Sequence, residues 1–439
     1  MAPVRPPAQP VASLVFAACA GLFFFVSIIK FGNPVILDRA AQPPAGLSAA
    51  VYESWPARWG IWLFVPLLAA GLWATTWKGM KFNWVLALPA AWLGWEFVAG
   101  AQTISSTLTM MTLRHFTICV TLFFLGYFAM KSVVKPWPLL TGIALALCWV
   151  IHAGFEQHFG GLEATRKMLQ SAPQLAGLPP EMLKDPEYLK RIASNRIFST
   201  FVYANALAGG LVLLLPVTLV YLWRLTPKVR KPVRVVFVLI LGGTGLACLY
   251  WSGSRAGWLV ALTVGLVALG HSALPLKWKR GLISAVLIVG VAGFAIKNAT
   301  FFQKQRNSVG ARFAYWRAAM LIIESHPWMG TGPGTFSIPY QQYKRPDDEM
   351  TRLCHNDYLE QACDSGVLGL IIYTGMIYVV LVRLYRYRPA RIPINWLYFG
   401  IWLGVFGLCL HSMVEFHLYI PALAWPMFFM MGWLLSFIR

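Results

Sequence analysis

Charge is scarce in this sequence and acid scarcer still: 12% of its 439 residues are charged, and 16 are acidic against 37 basic. With 58% of residues hydrophobic, the composition excludes an ordinary soluble domain, in which about a quarter of the residues carry charge. Cysteine is sparse as well, at seven. Cys19, Cys119, Cys148, Cys248 and Cys409 fall in or beside apolar runs, where a thiol behaves as a small hydrophobe. Cys354 and Cys363 alone are placed to face a polar compartment, and on one helix they would stand about 13 Å apart along its axis, too far for a disulfide. No Cys or His spacing of the metal-binding type occurs. No small-residue cleavage pattern follows the first apolar run, so that run is expected to stay as a membrane helix.

What the chain does contain is apolar runs of membrane-crossing length. They centre on 12–29, 60–76, 83–101, 114–130, 137–153, 201–223, 233–251, 256–271, 279–297, 366–385, 394–412 and 418–438, each near the length needed to cross ~30 Å of hydrocarbon. The expected fold is therefore an all-α polytopic membrane protein of about 12 transmembrane helices, with two long periplasmic segments containing short helices. Its units are 1–153 (helices 1–5), 154–200 (a loop with an amphipathic helix), 201–297 (helices 6–9), 298–365 (a large loop) and 366–439 (helices 10–12).

The formal charge of +21 invites a nucleic-acid reading, which the placement of the charges removes. With an even number of spans, one side of the membrane receives the N-terminus, 77–81, 131–136, 224–234, 272–280, 383–391 and Arg439. These carry 18 basic residues and no acid, while the opposite side nets about +3. The positive-inside rule makes the basic side cytoplasmic and sends both long loops outside, and the excess charge faces anionic lipid rather than nucleic acid.

Loops of such length tend to be functional. In 154–200, Pro179-Pro180-Glu181 reads as a helix start and DPEYLKRIA (185–193) as an amphipathic continuation. Lys184 and Lys190 fit interfacial anchoring by snorkelling, whereas Arg196, in RIFSTFVYANALAGG, is a stronger candidate for function. In 298–365 a helix is expected over Gly310–Ser325, carrying Arg312, Tyr315 and Trp316 on neighbouring turns with Arg317 on a flank. Gly330-Thr331-Gly332-Pro333-Gly334 reads as a turn, because the Lys-Ser/Thr of a phosphate loop is missing. Arg255, in SGSRAGW between two spans, either snorkels to headgroups or binds an anion through its forked donors. His355, in RLCHNDYLE, is expected on a helix just above the membrane, as a catalytic base or as a structural histidine. His152, His411 and His417 sit near span ends, where structural hydrogen bonds are expected.

Three segments, SGSRAGW, GARFAYWRAAM leading into HPWMGTGPGTF, and HNDYLEQACDSGVLGL, occur in order, and together the set resembles the O-antigen ligase and polymerase superfamily of bacterial inner membranes. The resemblance covers roughly 195–385; the N-terminal spans match in number and hydropathy only. Twelve spans and a large outer loop between the ninth and tenth look like the ligase branch. The resemblance implies an enzyme of the Gram-negative inner membrane with both termini cytoplasmic. It would transfer O-antigen from undecaprenyl diphosphate to a sugar hydroxyl of lipid A-core at the periplasmic face, with no metal or cofactor, acting as a monomer among bilayer lipids. It carries the family's essential histidine onto His355 and its essential arginines onto Arg196 and Arg255, with Arg312 in the RF-x-x-W pattern. Arg191, Arg317, Asn356 and Tyr358 are then expected to contact the diphosphate or the acceptor.

The chemistry is consistent with that assignment. Breaking an anomeric C–O bond releases a lipid diphosphate, whose charge arginines would meet where no divalent ion does; the attacking hydroxyl needs a base. An O-antigen polymerase or a protein O-oligosaccharyltransferase would share this logic. A transporter would show two similar halves or ionisable residues along a mid-membrane path; neither is evident, Glu96 being the one acid well inside a run.

Overall fold

Each of the apolar runs forms a helix. In the computed structural model these are α1 (Val11–Lys30), α2 (Trp59–Ala74), α3 (Ala87–Gly100), α4 (Ser106–Phe128), α5 (Trp137–Glu156), α6 (Ala204–Leu225), α7 (Lys231–Trp251), α8 (Arg255–Gly270) and α9 (Leu276–Asn298). After these come α10 (Ser308–Ser325), α11 (Asp357–Tyr387), α12 (Trp396–His411) and α13 (Pro421–Ser436). The structure describes residues 10–39, 41, 43–77, 83–171, 193–225, 229–298, 308–387 and 395–438, and no strand occurs among them. The amphipathic helix expected over 179–193 lies, up to residue 192 and with Lys184, Lys190 and Arg191, outside the described residues.

Among the described residues six helices are long and apolar enough to cross a membrane: α1, α4, α5, α6, α7 and α11. Helices α2, α3, α8, α12 and α13 are apolar but shorter. The 16 residues of α2, α8, α12 and α13 reach roughly 24 Å at 1.5 Å per residue, less than a full hydrocarbon thickness. The chain is therefore an α-helical polytopic membrane protein with six clear candidate spans.

Helix starts follow local chemistry. Ser254 caps α8 by accepting from Gly257 N at 3.2 Å, and Asn395 caps α12 by accepting from Tyr398 N at 3.4 Å. The turn between α7 and α8 is tight because Gly253 takes φ +62, so the two apolar runs meeting there are separate helices rather than one kinked segment.

At the centre stands α13, every residue of which from Pro421 to Leu435 is buried; it packs against α1, α4, α6, α11 and α12. A helix apolar on all sides belongs in such a position. Its closest approach is to α4, through glycines on both helices. A methyl group on Gly432 would lie 1.9 Å from the Phe123 carbonyl oxygen, and one on Gly126 would lie 2.2 Å from that of Phe429. Backbone contact of this kind, rather than area burial, drives helix association where the surrounding solvent is itself apolar.

A second, smaller core lies beyond the end of the bundle, formed by Tyr315, Ala318 and Ile322 of α10 with Phe336, Tyr340, Cys354 and Cys363. Both cysteines are free and buried. Helix α11 is kinked at Gly366 (φ +72), where a methyl group would meet the Trp328 carbonyl at 2.3 Å. The turn 330–334 wraps this kink: Thr331 N donates to Cys363 O and Gly332 N to Asp364 O, both at 2.9 Å, while Gly334 N donates to Asp364 Oδ2 at 2.7 Å. The glycine stretch is thus a turn that docks the outer subdomain on the bundle, as the sequence leads one to expect.

Replacing Gly432 with Leu is expected to cost on the order of 1–3 kcal/mol through overpacking, whereas Gly281→Ala, in open space, leaves stability unchanged. Thermal unfolding of the two variants in detergent, followed by tryptophan fluorescence, checks both.

Candidate active site

At the bundle end that faces the outer subdomain, polar side chains from four separate segments converge on Glu415. This carboxylate sits in the connection 412–420 between α12 and α13, and its side chain is 3% exposed. The connection is pinned from two sides. Asp357 N donates to Ser412 O (2.9 Å) and Glu415 O (3.2 Å), and Leu418 N donates back to Asp357 Oδ2 (3.0 Å). On the other side His115 of α4 meets Leu418 O at 2.7 Å.

Four groups surround the Glu415 carboxylate. Arg312 of α10 pairs with Oε1 through Nη2, Asn205 of α6 donates Nδ2–H to the same oxygen at 2.5 Å, and His355 Nδ1 lies 3.1 Å from Oε2. Arg196 completes the set at one remove, donating Nη2–H to Asn205 Oδ1 at 2.6 Å and Nε–H to Ser252 O at 2.7 Å. Burial pushes the Glu415 carboxyl up, but Arg312 and His355 beside it, with His411 adding, hold it well below the usual carboxylate range.

An ionised carboxylate only accepts hydrogen bonds. His355 must therefore donate from Nδ1, a tautomer assigned from this network, and its Nε2 is left with a lone pair that no described residue hydrogen-bonds. The imidazole is 20% exposed, clamped between the Tyr315 ring at 5.6 Å and the Phe416 ring at 4.6 Å. A histidine oriented by a buried carboxylate, with its other nitrogen open, is the arrangement of a general base.

His355 does not lie on a helix, contrary to the expectation from sequence. Helix α11 begins only at Asp357, because Asn356 accepts from Tyr358 N (3.0 Å) and Leu359 N (3.2 Å) and so caps it. His355 occupies the preceding turn with φ +55, one of two non-glycine residues with positive φ among the described residues. Such a conformation costs about 1–3 kcal/mol and persists where the surroundings over-determine it.

Arg196 lies in the extended stretch 193–200, held from below by Gln157, whose Oε1 accepts from Phe198 N (3.0 Å) and Ser199 N (2.7 Å). Arg166 holds it from the side through Ser194 O and Asn195 Oδ1, both at 2.8 Å. Burial draws the Arg196 pKa below the ordinary guanidinium value; Glu415 opposes this and the nearby Arg312 and Arg255 reinforce it. As an arginine it remains a cation. Arg255 opens α8 within electrostatic range of Arg196 and Arg312. Arg312 pairs with the Glu415 carboxylate, Arg196 reaches it through Asn205, and Arg255 lies within electrostatic range of both arginines, a gathering of guanidinium groups suited to an anion.

The structure brings His355, Arg196, Arg255 and Arg312 together. It places three other candidates elsewhere: Arg317 pairs with Asp348 at 2.8 Å, Asn356 serves as the helix cap, and the Tyr358 hydroxyl donates to Cys409 O at 3.0 Å inside the bundle. Arg191 lies outside the described residues. Glu415 and Asn205, which the sequence reading passed over, are the groups that tie the site together. His411 and His417 are buried and joined at 2.8 Å; burial, with His411 adding, pulls His417 well below the ordinary imidazole value. Both fill the structural part expected of them. Among the described residues no group of three His, Cys, Asp or Glu is arranged around a common metal position.

The fold and site define a polytopic α-helical membrane protein with a histidine and several arginines gathered on one buried carboxylate at a bundle end. Residues 240–374 match the family model described as O-antigen ligase, and the similarity lies in that stretch. No curated protein matches the chain. The matched stretch includes Arg255, Arg312 and His355, whereas Arg196, Asn205 and Glu415 lie on either side of it.

Glu415→Gln is expected to destabilise the protein by about 3–5 kcal/mol, since it leaves Arg312 buried without its counter-charge. A carboxyl whose folded pKa is depressed contributes in full above the unfolded value of about 4.3 and loses that contribution only as pH falls through the folded value. The melting-temperature difference between wild type and variant should accordingly be equal at pH 7.5 and pH 5.5; a difference that vanishes over that interval would show that Glu415 is not held ionised.

Proposed function

We propose that the chain is an O-antigen ligase: a metal-independent, inverting glycosyltransferase that moves O-antigen polysaccharide from undecaprenyl diphosphate to a sugar hydroxyl of lipid A-core, completing lipopolysaccharide. The observation that carries the proposal is the pairing of His355, oriented by Glu415, with three arginines in one basin. In the reaction the acceptor hydroxyl gives its proton to His355 Nε2 as its oxygen attacks the anomeric carbon. The C–O bond to the diphosphate breaks on the opposite face, which inverts the anomeric centre. The departing lipid diphosphate gains a charge, and Arg196, Arg255 and Arg312 stabilise it as it develops. The imidazolium then returns its proton to the released diphosphate or to water, and Glu415 holds the ring in place throughout.

In this reading all twelve apolar helices cross the inner membrane of a Gram-negative bacterium, the shorter ones where the outer subdomain and the connections around the site replace lipid. Both termini are cytoplasmic, supported by the one-sided placement of 18 basic residues, and the site is periplasmic. One chain supplies every group in the step.

The test supplies purified protein in detergent containing EDTA with undecaprenyl diphosphate-linked O-antigen and lipid A-core. A glycolipid of higher mass is the expected product. Longer lipid-linked glycan formed from donor alone would instead identify a polymerase. His355→Ala should lower kcat by about 10²–10⁴-fold without loss of folded protein, and Arg255→Gln should impair use of the diphosphate donor; full turnover in the histidine variant would remove the base from the scheme.

A further inference from the structure

The proposed reaction leaves a second set of basic side chains unused. Arg58 at the start of α2, Arg114 on α4, Asp38 and His115 line a cavity of about 40 Å³ whose remaining wall is apolar, including Met111 and Trp425. That is room for a few water-sized groups.

The charges in it can be counted. Arg58 is committed to Asp38, donating Nη1–H to its carbonyl at 3.0 Å and to Oδ2 at 3.3 Å. His115 is neutral by its contacts: Trp425 Nε1–H donates to Nδ1 at 3.1 Å, so the proton is on Nε2, which donates to Leu418 O at 2.7 Å. Arg114 makes no hydrogen bond or ion pair among the described residues and is exposed. The cavity is therefore left with one positive charge on Arg114, and the 45% exposed Arg58 side chain stands beside it.

The position of Arg114 makes that charge conspicuous. It lies on a helix long and apolar enough to cross a membrane, roughly 12 Å along the axis from Ser106. An exposed guanidinium at such depth is costly unless an anion or water meets it. Among the described residues the one carboxylate lining the cavity, Asp38, is occupied by Arg58, so none of them supplies Arg114 with a counter-charge. At that depth and on that surface the available anion is a lipid headgroup.

We propose that this cavity binds a phosphoryl group of a lipid lying in the leaflet that faces the His355 site. The inference rests on the reading of the chain as a membrane ligase, and it adds a site that recognises the phosphate of the lipid rather than its glycan. The acceptor glycolipid, which carries phosphates on its lipid end, is favoured over bulk phospholipid by a shared wall. Leu418, whose carbonyl holds His115 in the cavity, is three residues from Glu415 in the same pinned connection, so a lipid anchored here would present its sugar end toward the base.

The test titrates the full-length protein in detergent with phosphorylated lipid A-core, the same glycolipid after phosphatase treatment, phosphatidylglycerol and phosphatidylcholine, with binding read by native mass spectrometry. Wild type should bind the phosphorylated glycolipid about tenfold more tightly than the dephosphorylated one, as expected for a charge-assisted hydrogen bond. Arg114→Gln should abolish the difference and Arg114→Lys should retain most of it. In transfer assays Arg114→Gln should raise KM for the phosphorylated acceptor and leave kcat unchanged. Equal binding of the phosphorylated and dephosphorylated glycolipids by wild type would overturn the proposal, as would an Arg114→Gln protein that still discriminates between them. Discrimination that is equally strong for phosphatidylglycerol over phosphatidylcholine, both of which carry a phosphoryl group, and lost in the variant, would show selection of net anionic headgroups and overturn the assignment to the acceptor glycolipid. If Arg114→Gln does not fold, Arg58→Gln and the wild-type comparison of the two glycolipids decide. Absence of transfer by wild type would refute the ligase reading alone, because the binding comparison does not depend on turnover.

Discussion

A single buried negative charge organises the functional end of this molecule. Glu415 is removed from water, yet the surrounding cations and hydrogen bonds keep it ionised. That state has three structural consequences. It fixes the His355 ring and its tautomer, it anchors Arg312 from the outer subdomain to the bundle, and through Asn205 it sets the direction of Arg196. A neutral group at 415 would leave the Arg312 guanidinium, within electrostatic range of Arg196, without its counter-charge.

The helices explain how such a charge is held in place. Helix α13 is enclosed on every side and locked to α4 by backbone contact at Gly126 and Gly432, so the connection that precedes it has little freedom. The same connection serves two surfaces. One side bears Glu415 and meets α11; the other gives the Leu418 carbonyl to His115 beneath the Arg58–Arg114 cavity. Reaction site and proposed phosphoryl site are thus fastened to one short rigid segment, which is how a fold can align two parts of a long amphipathic substrate.

Much of this was legible in the sequence, for identifiable reasons. Apolar runs announce helices because the bilayer admits few alternatives, and every run named from composition is helical. Arg255 and His355 stand out because each is polar at a boundary where polarity is costly. The helix expected at His355 was wrong because Asn356 caps α11 at Asp357, leaving His355 in the preceding turn at φ +55. Glu415 was overlooked because a lone acid in a nine-residue connection between apolar helices looks like any loop residue. Its signal was the neighbourhood, HSMVEFHLY, where an acid between two histidines has no solvent-exposed loop to occupy. Asn205 is hidden among small residues, and no pattern within the sequence pairs it with residue 415. Arg114 was absorbed into an apolar run, and the cavity it lines with Arg58 and Asp38 exists only in the folded chain.

The central claim is that Glu415 orients His355 with the proton on Nδ1 and Nε2 open to the acceptor. Nitrogen-15 NMR of histidine-labelled protein in lipid, with the His355 signals assigned by difference from His355→Gln, measures this directly. The expected result at neutral pH is a protonated Nδ1 and an unprotonated Nε2 for His355, with that preference lost in Glu415→Gln. A proton found on Nε2 in the wild-type protein would contradict the account, because the nitrogen facing the acceptor would then have nothing with which to take its proton.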